Sequence, residues 1–165
     1  MNIVLIGMRG AGKTTVAKIL AKKLRKPYLE IDTMIAKKAG MTISEIVKNH
    51  GWEYFRDLES NVIHDTGNTD NVIISCGGGA VVRAKNVTIL KQNSKLFWLQ
   101  VSVDTLLKRI SNDKNRPSLT GKSPKQDMEE TLKERHEFYK NIADVVIDTE
   151  NLDAQKVAER IIEKL

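Results

Sequence analysis

Near its start the chain reads Gly7-Met8-Arg9-Gly10-Ala11-Gly12-Lys13-Thr14, which fits G-x-x-x-x-G-K-[ST], a loop that cradles phosphates. Glycines let the backbone turn sharply and approach an anion closely. Consecutive N–H groups then point inward, and the positive end of the following helix reinforces them. Lys13 adds a point charge for the outer phosphates, and the Thr14 hydroxyl is a ligand for Mg²⁺. Gly10, Ala11, Gly12, Lys13, Thr14 and Thr15 therefore form the candidate cradle of a nucleoside triphosphate. The motif alone leaves the destination of the phosphate open, because kinases, GTPases and ATPases share it.

Other residues narrow the chemistry. No N-K-x-D segment for reading guanine follows a strand, and the apolar run Val72-Ile73-Ile74-Ser75 ends without a carboxylate. The carboxylate for a metal must come from elsewhere. Glu30-Ile31-Asp32 offers two, which strand alternation would place on one face about 7 Å apart. One can serve the metal, and the other can orient or deprotonate an acceptor hydroxyl. Arg56, Arg116 and Arg135 supply guanidinium forks suited to carboxylate and phosphate oxygens. Arg116 lies in DKNRPSLTGKSPK, a stretch of Pro, Gly, Ser and charge that reads as a mobile loop able to close over a transferring phosphate. Gly77-Gly78-Gly79 presents bare backbone N–H groups beside the same edge, or else marks a chain reversal that needs positive φ. Cys76 reads as a small buried residue, with no base beside it in sequence.

These groups need a frame to hold them. Short apolar runs alternate with amphipathic helical patterns along all 165 residues, which implies a parallel sheet with helices on both faces. Strands are expected at 2–6, 27–32, 71–75, 95–101 and 144–147. Helices are expected at 13–25, from Thr42 to about Gly51, at 52–66, 85–92, from Ser102 to about residue 112, at 126–142, and, after the last strand, in a final helix to Leu165. The first helix is expected to end at Pro27, and Thr42-Ile43-Ser44-Glu45 reads as a capping box.

Composition sets the outer limits. With 41% apolar and 29% charged residues, the chain is ordinary globular material and of one-domain size. A net charge of +6 suits a polyanionic ligand. One cysteine excludes an intrachain disulfide, and three scattered histidines give no zinc spacing. The apolar N-terminal run is too short for a signal peptide or a membrane span, so a cytoplasmic protein without membrane partners is expected. No long apolar seam points to an obligate partner, so a monomer is expected.

Taken together, the pieces resemble the shikimate kinase family over essentially the whole chain. The resemblance joins the P-loop to spaced carboxylates after the second strand, F-R-x-x-E (Phe55, Arg56, Glu59), a strand running into G-G-G, N-R-P (Asn115, Arg116, Pro117) and R-x-x-x-Y (Arg135, Tyr139). It implies a five-stranded parallel P-loop sandwich of the nucleoside-monophosphate-kinase type, as a single domain over 1–165. A small helical substrate-binding region at about 32–60 and a mobile lid at about 112–125 would belong to it. It implies transfer of the γ-phosphoryl of ATP, with Mg²⁺, to the 3-hydroxyl of shikimate, a step of chorismate and aromatic amino acid biosynthesis. It implies roles too. Asp32 would bind ring hydroxyls and serve as base, Arg56 and Arg135 would clamp the carboxylate, Gly78 and Gly79 would donate N–H groups, and Phe55 would pack against the substrate. Lys13 and Arg116 would neutralise the transferring phosphate, Thr14 and Glu30 would serve the metal, and Arg109 would stack on adenine. Two positions depart from the family pattern: Glu30 stands where aspartate is usual, and Ser118 stands where the lid usually has leucine.

Rival readings are another small-molecule kinase, such as a gluconokinase, and a nucleotide-gated binding protein. The first lacks a reason for F-R-x-x-E with G-G-G. The second should have lost Lys13, Thr14, Asp32 or Arg116, and all four are present. Nucleic-acid binding rests on net charge alone, with aromatics at 5% and no recognised motif.

Overall fold

A computed structural model describes residues 1–110 and 121–165. Five parallel strands form one sheet in the order β2-β3-β1-β4-β5. The strands are β1 (Asn2–Ile6), β2 (Tyr28–Glu30), β3 (Ile73–Ser75), β4 (Ser94–Gln100) and β5 (Val145–Asp148). Seven helices occur among the described residues: α1 (Lys13–Leu24), α2 (Ile31–Ala39), α3 (Ile43–Thr66), α4 (Ala84–Leu90), α5 (Val103–Ile110), α6 (Pro124–Ile142) and α7 (Ala154–Ile162). Helices cover both faces of the sheet, as expected for a parallel sheet whose crossovers are helical.

β1 takes the centre because every one of its residues is buried. Val16, Ala17 and Leu20 turn one face of α1 into the core, where α1 packs against α7. Asn2 fixes the start of the central strand, donating to the Thr69 carbonyl and accepting from the Val72 N–H.

Several boundaries differ from expectation for physical reasons. α1 stops before Pro27: Arg25 adopts a left-handed conformation (φ 53°) and returns its N–H to the Ala21 carbonyl. Pro27 instead accepts a hydrogen bond from Ile73 at the start of the β2–β3 ladder. β3 begins at Ile73 because Asn71 has φ 59° and cannot extend the strand. The strand expected at 27–32 ends at Glu30, and α2 starts at once. Glu30 and Asp32 therefore do not share a strand face: one ends the strand, and the other lies in the first turn of a helix.

Thr42 and Glu45 form the expected capping box. Gly51 (φ 84°, ψ 172°) breaks α3 in two, at the place where the sequence marks a stop. α6 begins at Pro124, with Ser123 accepting from the Gln126 N–H, so the end of the loop expected at 112–125 is already helical. Asn115, Arg116, Pro117 and Ser118 lie outside the described residues. Among the described residues no helix is long and apolar enough to cross a membrane.

Candidate active site

The carboxyl ends of parallel strands are where an open α/β sheet binds ligands, and here they surround a cavity of about 430 Å³. Arg9, Gly10, Lys13, Thr14, Glu30, Asp32 and Gly78 are among its lining residues. Gly7, Gly10 and Gly12 all have positive φ, at 139°, 83° and 89°. Gly10 also needs its bareness, because a Cβ there would come within 2.7 Å of Ile110 on α5. Lys13 is buried at the start of α1, and its ammonium donates to the carbonyls of Gly7 and Met8 at 2.8 Å each. The lysine is thus held inside the loop that it serves.

Beside it, the Thr14 hydroxyl donates to Glu30 Oε1 at 2.5 Å, while the Thr33 hydroxyl donates to Glu30 Oε2 at 3.0 Å. Register explains how Glu30 gets there. Glu30 pairs with Ser75, and Ser75 pairs with Leu5. The carboxylate missing from the end of β3 is supplied by the next strand over. Since Thr14 spends its one proton on Glu30, its oxygen lone pairs remain for a cation. Asp32 reaches the same cavity from the first turn of α2. Both carboxylates arrive where the sequence placed them, by a different backbone route.

A second hollow, of about 300 Å³, shares Gly12, Thr15 and Arg109 with the first and continues to Thr149, Leu152 and Val157. Arg109 bridges the two and donates to the Gly10 carbonyl at 3.3 Å. Ala11 and Thr15 line this side.

On the other side lie the arginines. Arg56 donates to Glu59 Oε2 at 2.7 Å, and Glu59 is wholly buried. The guanidinium carbon sits 5.2 Å from the Phe55 ring centre and 5.7 Å from that of Trp52. Phe55 reaches no solvent, and its ring lies against the Arg56 guanidinium. A Cβ on Gly79 would come within 2.1 Å of the Arg56 guanidinium, and one on Gly78 within 3.1 Å of Arg135. Neither glycine has positive φ. A side chain on either glycine would have to displace a guanidinium, and the positive φ that the chain-reversal reading needed is not there, although the segment does turn through the Ala80–Gly77 and Val82–Gly79 hydrogen bonds.

Burial is the main influence that lowers the Arg135 pKa, and nearby Arg56 lowers it further. Two cations converging on bare backbone make a place for an anion. Burial also pushes the Tyr139 hydroxyl up to about 12. Cys76 is buried, its thiol is raised chiefly by burial, and no thiolate chemistry fits it.

The sequence alone assigned no role to Arg9, Thr33, Glu59 or Tyr139. Arg9 occupies a free position of the P-loop pattern. Tyr139 was visible only as the end of R-x-x-x-Y, with nothing to say that its partner lies 61 residues away.

A P-loop on the central strand, a paired hydroxyl and carboxylate beside it and a basic anion site define a P-loop kinase of the α/β class. A family profile described as shikimate kinase matches residues 9–165, and the chain belongs to that family. It is 40% identical to the shikimate kinase of Moorella thermoacetica over 164 residues, covering 99% of this chain and 94% of that protein. The structure matches that of a shikimate kinase from Acinetobacter baumannii in complex with shikimate, with a TM-score of 0.95 and 36% identity over 99% of this chain and 91% of the other. A gluconokinase from Sinorhizobium meliloti shares the fold alone, at a TM-score of 0.56 and 18% identity over 99% of this chain and 94% of that one.

Proposed function

We propose that this protein transfers the γ-phosphoryl group of ATP to the 3-hydroxyl of shikimate, giving ADP and shikimate 3-phosphate. The observation that carries this is the placement of Arg56 and Arg135 on Gly79 and Gly78, next to the P-loop cavity that Gly78 also lines. An acceptor with a carboxylate at one end and a ring hydroxyl at the other fits that span, its carboxylate on the arginines and its hydroxyl toward Asp32. Membership of the shikimate kinase family supports the same acceptor.

Phosphoryl transfer needs positioning and charge neutralisation more than covalent chemistry. The P-loop N–H groups and Lys13 take the phosphates, and Arg109 flanks the base in the second hollow. Asp32 orients the acceptor hydroxyl and receives its proton. Arg116, which lies outside the described residues, is assigned the remaining charge neutralisation. Thr14 and Glu30 are hard oxygen donors held 2.5 Å apart, which fits Mg²⁺, an ion that keeps several waters and takes one or two protein oxygens beside phosphates. When bound, Mg²⁺ supplies further neutralisation of the phosphate oxygens. The proposal includes a monomer working in the cytoplasm, where ATP is made.

The test is ADP release with ATP and Mg²⁺, run in parallel with shikimate, gluconate, a nucleoside monophosphate and no acceptor. Stimulation by shikimate alone is expected. Stimulation by another acceptor would reassign the arginines, and none at all would overturn the kinase reading. In the same assay, Asp32→Asn should lower kcat by ~100-fold or more, with ATP binding nearly unchanged.

A further inference from the structure

Tyr139 is fully buried in α6, yet it carries the hydroxyl that touches the glycine loop. Its O–H donates to the Gly78 carbonyl at 2.6 Å and lies 3.6 Å from the Met8 sulfur in the P-loop. Trp98 of β4 lies along the ring, with centroids 5.5 Å apart and planes 31° apart, and His136 meets Trp98 edge-on. Arg135, one turn earlier on the same helix, interacts with the same hydroxyl. The ring is thus fixed by packing, and its one polar atom meets the loop at a single carbonyl.

That carbonyl belongs to the peptide plane that ends in the Gly79 N–H. In a trans peptide the C=O and N–H of one plane point in opposite directions, and no cis bond occurs in the described chain. Holding the Gly78 carbonyl toward Tyr139 therefore turns the Gly79 N–H away from it. Neighbouring donors are already used: Ala80 donates to Gly77, and Val82 donates to Gly79. The Gly79 N–H donates no hydrogen bond among the described residues, and a Cβ built on the same residue would meet the Arg56 guanidinium. Two glycines in a row could rotate this plane freely; the Tyr139 hydroxyl removes that freedom.

We propose that Tyr139 is a positioning residue for the acceptor, its hydroxyl aiming the Gly79 N–H and seating Arg135 on the acceptor side of the site. The inference rests on the shikimate kinase reading and adds a residue that does not itself touch the reacting atoms. It separates acceptor binding from nucleotide binding, because Tyr139 governs the glycine loop and Arg135 whereas the phosphates are held by the P-loop amides.

The test is Tyr139→Phe, which keeps the ring packing and removes the hydroxyl. The shikimate KM should rise by roughly 10-fold, the usual effect of losing one hydrogen bond, with the ATP KM within ~2-fold of the unchanged enzyme. A merely structural role would weaken both ligands together. Equal weakening of both, weakening of ATP alone, or no change would each overturn the proposal. A second readout needs no variant: in the unmodified protein, the Gly79 amide resonance should shift and lose hydrogen exchange as shikimate is added. An unperturbed Gly79 resonance would overturn the proposal even if the variant failed to fold. Failure of the functional reading looks different, since the unmodified protein would then release no ADP with shikimate.

Discussion

Arg56 and Glu59 cannot be judged separately. Glu59 is wholly buried, and Arg56 holds it at 2.7 Å. Arg56→Ala would take this charge partner from a buried carboxylate, at a cost to stability of about 3 kcal/mol. A raised shikimate KM in that variant would then report partial unfolding as much as lost recognition. Arg56→Lys keeps a cation near Glu59 but loses the planar fork that grips a carboxylate at two points. Its melting temperature should stay much closer to that of the unchanged protein than that of Arg56→Ala, while its shikimate KM rises by ~10-fold or more. Parallel thermal melts and kinetics on the two variants check this, and an unchanged KM in Arg56→Lys would place the acceptor carboxylate elsewhere. Glu30 shows the same dependence on neighbours. The residue type was legible as a departure from the family pattern, but its setting was not, because the Thr14 and Thr33 hydroxyls that hold it come from two other elements.

Gly51 divides α3 in a conformation that side chains avoid, with φ 84° and ψ 172°. Gly40, at the end of α2, has φ 68° and ψ 19°, an ordinary left-handed helix stop. No atom lies within 4 Å of a Cβ built on either glycine, so any cost of alanine at these sites comes from the backbone alone. Gly40→Ala should cost about 1 kcal/mol. Gly51→Ala should cost more, about 1–3 kcal/mol, because its region is nearly closed to any residue with a Cβ. Urea titrations of the two variants give the comparison directly; equal losses would mean that α3 simply runs straight through residue 51 once alanine is present. The stop at Gly51 and the capping box before it were legible because both are local signals. The junction after Glu30 was not. Residues 27–32 carry an alternating pattern that suits a strand, and only pairing with Ser75 shows where the ladder ends and α2 begins. The P-loop was legible down to the residue because backbone and ligand impose its spacing together.

At the scale of the molecule, alternation of strands and helices implied a parallel sheet, but not which strand lies beside which. The order β2-β3-β1-β4-β5 rests on pairings between distant segments, such as Ile3 with Ile73 and with Lys95. That order brings the ends of β1, β2 and β3 together and so makes the site. It also buries two groups with protons to lose. Burial raises the Tyr139 hydroxyl from its ordinary 10.0 to about 12, and raises the Cys76 thiol above its ordinary 9.0. In the unfolded chain both ionise at their ordinary values, whereas in the fold they keep their protons. Above those values the unfolded state binds fewer protons than the native state, so stability falls as pH rises. The contribution of Tyr139 is fully present below pH 10.0 and is lost progressively as pH rises to about 12; it amounts to roughly 3 kcal/mol at most. Loss from Cys76 begins earlier, near pH 9.0. Urea midpoints measured from pH 8 to pH 12 should therefore decline in the unchanged protein, with the decline shallower above pH 10 in Tyr139→Phe and shallower from about pH 9 in Cys76→Ala. An alkaline limb identical in all three proteins would mean that both groups ionise in the fold as readily as in water, and that the interior around the glycine loop is open to solvent.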